Sequence, residues 1–289
     1  MSQIPGSPAK RDGTAMSPAS PMMNENQPNC ATRWIRRILF GLFAAQCLLV
    51  WTRLWLTQRP FKSARWPEGL LLVLAAATTV VTLAKELPWQ NVLLASAIII
   101  FVSVVTQGLT TLVGASFGSS MDPEAKWSGP LIWLVAILNA RGVARLVIAR
   151  WRTCRFYGSW LIGVTAVLVG FFGLGLRYLD AAAADLHLHR QAEEAGFRPE
   201  TAPSLSLLWW TVAALPALVL ATPSLTNKRP VEPPLPRQPL ICWLLLNFLF
   251  ASAAALQGRW AEAALVAVGN LVAVVLAFSR TRAHDCPVA

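Results

Sequence analysis

Eight stretches of nearly uninterrupted apolar residues, each close to the length that crosses hydrocarbon, constrain this chain more than any other feature. A helix needs about 20 apolar residues to span a bilayer core, because each residue adds about 1.5 Å. The runs lie at about Trp34–Leu56, Gly69–Ala84, Val92–Val113, Pro130–Ile148, Gly158–Leu176, Leu205–Leu220, Leu240–Leu256 and Ala261–Phe278. Backbone amides find no water inside hydrocarbon, so runs of this kind fold as helices. Only 13% of the 289 residues are charged and 55% are hydrophobic. That is too little polar surface to wrap a soluble domain around so large a core. The predicted fold is all-α, a polytopic transmembrane helical bundle of about eight spans, with seven to nine compatible with the boundaries.

The rest of the chain divides around these runs. Residues 1–32 are rich in Pro, Ser, Gly and Asn without apolar periodicity, which predicts a disordered cytoplasmic tail. No processing site marks a cleaved signal peptide. Residues 33–282 form the predicted transmembrane domain, and 283–289 a short C-terminal tail. The Lys85-Glu86-Leu87-Pro88 break parts the second span from the third, and the Pro-rich Arg229–Pro234 stretch parts the sixth from the seventh. About 16 of the 25 Lys and Arg residues fall on the side that holds both termini, so both termini are predicted cytoplasmic. The basic first loop, with Arg53, Arg59, Lys62 and Arg65, argues the other way. Of thirteen tryptophans, Trp34, Trp66, Trp89, Trp127, Trp209 and Trp260 mark span ends and read as interfacial anchors.

Composition removes several function classes. The net charge of +11 does not form a nucleic-acid stripe, because the basic residues flank apolar runs. Arg33, Arg36 and Arg37 precede one run, and Arg150, Arg152 and Arg155 lie between two others, the pattern of topology signals and of contacts with anionic membrane lipids. The five cysteines, Cys30, Cys47, Cys154, Cys242 and Cys286, form no C-x-x-C pair, so neither zinc nor a disulfide framework is indicated. Cys47 and Cys242 read as small apolar packing residues. No P-loop, G-x-G-x-x-G or H-E-x-x-H pattern is present, and no cofactor is implied. No Asp or Glu sits in the middle of a span, which argues against proton-coupled transport.

Two groups of polar residues stand out. Arg141 and Arg145, four apart in the fourth span, share a helix face. Either the span ends near Asn139 and both arginines snorkel to headgroups, or they bind a phosphate, a headgroup or a carboxylate. Asp185, His187 and His189 alternate as a strand would, yet metal ligation needs a converging fourth ligand and none is evident, so a solvated loop is expected.

From about Gln107 onward the chain resembles a family of bacterial and archaeal carotenoid biosynthesis membrane proteins that includes the carotenoid hydratases. The resemblance rests on Gly114, Phe117 and Gly118, then Pro130 and Trp133, then Asn139-Ala140-Arg141 and Arg145. Pro203, Leu208 and Trp210 resemble a later family segment, and Lys228-Arg229-Pro230 with two closing helices follows in order. The resemblance implies a substrate-binding set of Gln107, Phe117, Trp133, Asn139, Arg141, Arg145 and Trp210, with Trp209 beside them. It also implies a carotenoid or other apolar polyene as ligand, other pigment-pathway membrane enzymes as partners, and a bacterial plasma membrane as location. This chain departs from the family where acids are expected: near Gln107, and at Gly173, Arg177 and Tyr178, while Ser206 replaces an Asn. Adding water to an alkene needs a proton donor, and neither glutamine nor arginine serves as a general acid. The expectation is therefore a diverged member that acts on or binds a long polyene, by hydration if active. A non-catalytic carotenoid or lipid binder is the alternative, and a small-solute transporter a more distant one.

Overall fold

The computed structural model describes residues 30–56, 66–85, 87–112, 128–151, 155–188, 203–225, 237–256 and 258–278. These form eight α-helices: α1 (Cys30–Leu56), α2 (Trp66–Leu83), α3 (Trp89–Leu112), α4 (Ser128–Val147), α5 (Tyr157–Leu188), α6 (Pro203–Leu225), α7 (Gln238–Leu256) and α8 (Trp260–Phe278). Among the described residues there is no strand. Seven helices are long and apolar enough to cross a membrane, while the apolar stretch of α2, Gly69–Leu83, is shorter. The all-α bundle read from the apolar runs is thus the fold. The expected tails lie outside the described residues, except that α1 already begins at Cys30.

Two helices run past their expected ends. α5 continues to Leu188 because residues 181–184 are four alanines, the best helix formers, in place of a breaker. Its helical backbone reaches Asp185 and His187, and a helix does not give residues two apart the shared face that a strand would. His189 lies outside the described residues. α6 passes through Pro216 and Pro223 to Leu225. Proline interrupts the amide ladder, but inside a membrane bundle side-chain hydroxyls and neighbouring helices re-satisfy the backbone. Pro216 and Pro223 free the carbonyls of Val212 and Val219, whereas the hydroxyls of Thr211 and Thr222 donate to those of Leu207 and Leu218.

α4 is the hub. In its apolar window 83% of residues are buried, against 11% in α8 and 22% in α1, and it packs on α2, α3, α5, α7 and α8. The outer faces of α1, α3, α6 and α8 expose Leu, Val, Ile and Phe, as lipid-facing surfaces do. Small residues let the helices approach closely. Gly142 of α4 lies against Pro239 of α7, and Gly175 of α5 against the Phe250 ring of α7, each with no room for a Cβ. Phe250 stands edge-on to Phe172, their centroids 5.1 Å apart.

Contacts between named residues fix how the helices run. Trp51, near the end of α1, donates to Ser252 near the end of α7, so these two are parallel. Arg237 at the start of α7 lies over the ring of Phe278 at the end of α8, 4.6 Å from its centroid. The start of α1 and the end of α8 therefore share one end of the bundle, called here the basic end. Arg36, Arg37, Lys85, Arg141, Arg145, Arg155 and Arg237 lie towards it; among the described side chains only Arg53 and Arg259 lie towards the other.

Gly142→Leu forces α4 and α7 apart and is expected to destabilise the bundle by about 1–3 kcal/mol or more. Gly163→Leu, at a site with nothing within 4 Å of a new Cβ, is expected to be close to neutral. Thermal unfolding of the two variants in the same detergent checks the difference.

Candidate functional site

The residues singled out by the sequence separate into three places along α4. At the end opposite the basic end, Trp133 of α4 stacks on Trp210 of α6, centroids 4.5 Å apart and rings inclined by 23°. The face of Trp210 turned to α5 lies against Gly173, where a Cβ would overlap the indole. Gly173, Trp210 and Trp133 thus form a layered wedge between α5, α6 and α4. Close by, the Gln107 side chain of α3 occupies the space beside Gly129 that a Cβ would take, one turn before Trp133. Trp133 and Trp210 fill the space between their helices with each other's rings. Trp209 is half-buried and packs against the core. Phe117, with Gly114 and Gly118, lies outside the described residues. Residues 114–118 also spell Gly-Ala-Ser-Phe-Gly, a G-x-S-x-G pattern, but a nucleophile elbow requires a preceding strand and the described chain on either side is helical.

About 9 Å further along the axis lies Asn139, fully buried at 0% exposure. Its Nδ2 donates to Thr79 Oγ1 of α2 at 3.0 Å and to the Val135 carbonyl at 3.0 Å. Thr79 in turn donates to the Ala75 carbonyl at 2.6 Å. Asn139 Oδ1 and the neighbouring Thr78 Oγ1 are buried without a hydrogen-bond partner. An unmet acceptor in an apolar interior costs about 1–3 kcal/mol, so Asn139 is a costly residue to keep for packing alone.

Arg141 points the other way. Two residues on a helix are separated by about 200°, so Arg141 leaves the α2 side and reaches α6. There Nη1 donates to Thr222 Oγ1 at 3.2 Å, and the hydroxyl itself donates to the Leu218 carbonyl. Arg141 is 3% exposed. The helix does not stop near Asn139, so the expectation that Arg141 snorkels to the headgroups is replaced by a guanidinium held inside the bundle. Arg145, one turn on, is half-buried. Thr222 and Thr79 were not singled out in the sequence. Thr222 stood beyond the expected end of the sixth span, and Thr79 in a span with no other polar marker than its neighbouring threonines.

A groove of about 360 Å³ opens between α3 and α6, lined by Ala97, Ile98, Phe101, Val102 and Leu220. Its lining is apolar throughout, and Phe101 and Leu220 are exposed on the outer, lipid-facing surface. Among the described residues no three His, Cys, Asp or Glu side chains converge as metal ligands.

Eight helices, buried polar residues bonded to their own backbone or across helices, and apolar outer faces define a multi-pass integral membrane protein. No family model matches the chain, and neither any curated protein nor any solved structure matches it.

The Trp133–Trp210 stack offers a direct measure of the wedge. Either tryptophan changed to Ala is expected to cost about 3–5 kcal/mol, with a coupling of about 0.5–1.5 kcal/mol in the double-mutant cycle. Additive losses would mean that the rings do not act as a pair.

Proposed function

We propose that this protein holds a long, uncharged polyene within the bilayer, as its resemblance to carotenoid biosynthesis membrane proteins implies, and leaves the polyene chemically unchanged. The observation that carries this reading is the Trp210 ring against Gly173. Gly173 stands at one of the places where the family carries an acid, and here there is no space for a side chain. Gln107, at another such place, is an amide packed beside Gly129. Among the described side chains of the bundle the one carboxylate is Glu262, in the first turn of α8. Protonating an alkene needs a positioned acid, and the described side chains of these spans offer none beyond Glu262.

The ligand class follows from the surroundings. The α3–α6 groove has a volume within the range of small-molecule sites, about 300–1,000 Å³, and an apolar lining that suits a hydrocarbon chain. It lies on the outside of the bundle, so a polyene reaches it sideways from the bilayer without crossing water. A chain longer than the groove continues along α3, past exposed Val104 and Val105.

Expression in a bacterial host that accumulates lycopene tests the reading. The expected result is unchanged pigment that co-purifies with the protein, and severalfold less of it with Ala97→Trp, which fills the groove. New hydroxylated pigment would overturn the binder and restore the hydratase.

The distribution of charge supports an orientation as well. Basic residues favour the cytoplasmic face, so we assign the basic end, and with it both termini, to the cytoplasm; a bacterial plasma membrane is what the resemblance implies. A C-terminal fluorescent-protein fusion is expected to fluoresce and a C-terminal alkaline phosphatase fusion to be inactive. The reverse pair of results would invert the topology.

A further inference from the structure

The polyene reading leaves Arg141 unused. A charged side chain inside a membrane bundle is costly, and such residues pair with an opposite charge or line a pathway. The hydrogen bond to Thr222 supplies a dipole and no charge. Arg145 sits one turn away on the same face and acts on Arg141 electrostatically, which adds repulsion. At the basic end no carboxylate side chain is present among the described residues. Glu262 stands at the far end of α7, whose 19 residues separate it from Gly142 and Pro239 by roughly 25 Å.

The surroundings of the two arginines suit an anion. Tyr157, the first residue of α5, packs against the core at the basic end and brings a phenol hydroxyl. It also marks the N-terminus of a 32-residue helix, whose leading amides carry partial positive charge. Arg141 lies six residues, about 9 Å, before the end of α4, and its partner Thr222 three residues, about 4.5 Å, before the end of α6, so their contact is near the basic end. A guanidinium has five donors in a fork that matches phosphate oxygens, and Thr222 takes one of them.

From this we infer that Arg141 and Arg145, with Thr222 and Tyr157, form a binding site for a phosphate group at the basic end, between α4, α5 and α6. The phosphate brings to the Arg141 guanidinium the opposite charge that the Thr222 hydroxyl does not supply. It comes from the headgroup of a bilayer phospholipid or from inorganic phosphate in the cytoplasm. The site is separate from the α3–α6 groove and stands whether or not a polyene binds there.

The experiment uses the full-length protein purified in a neutral detergent. Native mass spectrometry follows added phosphatidylglycerol, with diacylglycerol, which lacks the phosphate, as the control. Thermal unfolding follows millimolar inorganic phosphate against sodium chloride of equal ionic strength. The variants are R141K, which keeps the charge and loses the fork, and R145Q at the half-buried position, which leaves the core intact. If the headgroup is the source, wild type retains phosphatidylglycerol over diacylglycerol and each variant retains about tenfold less, as loss of a charge-assisted hydrogen bond implies. If inorganic phosphate is the source, it raises the unfolding temperature of wild type beyond chloride and leaves both variants unmoved. If both variants match wild type with both probes, the inference is overturned.

Discussion

The structure depends on the burial of α4. A helix surrounded by helices inside hydrocarbon has no water for its polar groups, so each polar side chain on it must be met by a neighbour. Asn139 is met on one side by Thr79, and Arg141 on the other by Thr222. These contacts tie α2 and α6 to the hub from opposite faces. Gly142 then sets how near α7 can come, because Pro239 lies where its side chain would be. Much of the bundle's geometry follows from four consecutive positions, Asn139 to Gly142.

Close packing and polar satisfaction use different parts of each helix. Ser96, Thr106 and Thr165 fold their hydroxyls back onto the carbonyl four residues earlier, which satisfies them within their own helix. Glycines on α5 divide in the same way. Gly170, Gly173 and Gly175 meet α6 and α7, whereas Gly158 and Gly163 have open space beside them. The first three therefore lie on the face of α5 turned to α6 and α7, and the other two on open faces.

The helices were legible in the sequence because hydrocarbon imposes a length and a composition that few other environments impose. Of the polar and aromatic residues that meet around α4, Trp133, Trp210, Asn139 and Arg141 stood out in the sequence, whereas Thr79, Thr222 and the grouping did not. Trp133 and Trp210 are 77 residues apart, and nothing local says that one indole will stack on the other. Arg141 and Asn139 look like neighbours in a line of text, yet helical rotation sends them to opposite faces. Gly173 read as an acid lost; in three dimensions it is a surface for Trp210. The end of α6 was hidden by Pro223, a residue that stops most soluble helices and does not stop this one.

The central place of α4 also bears on how the protein is made. Its span carries two arginines and an asparagine, and its hydropathy of 1.5 is among the lowest of the seven long spans. Each arginine within a helix adds roughly 2.5–3.5 kcal/mol to the cost of leaving the translocon for lipid when it lies near the helix centre, and less towards an end. The partners that offset this cost are not all synthesised when α4 emerges: Thr222 belongs to α6, and Pro239 to α7. α4 is thus a segment that enters the membrane before its surroundings exist, and its settled position is a debt to sequence still on the ribosome. The contacts of Arg141 and Gly142 can form only once α6 and α7 have followed α4 out of the ribosome.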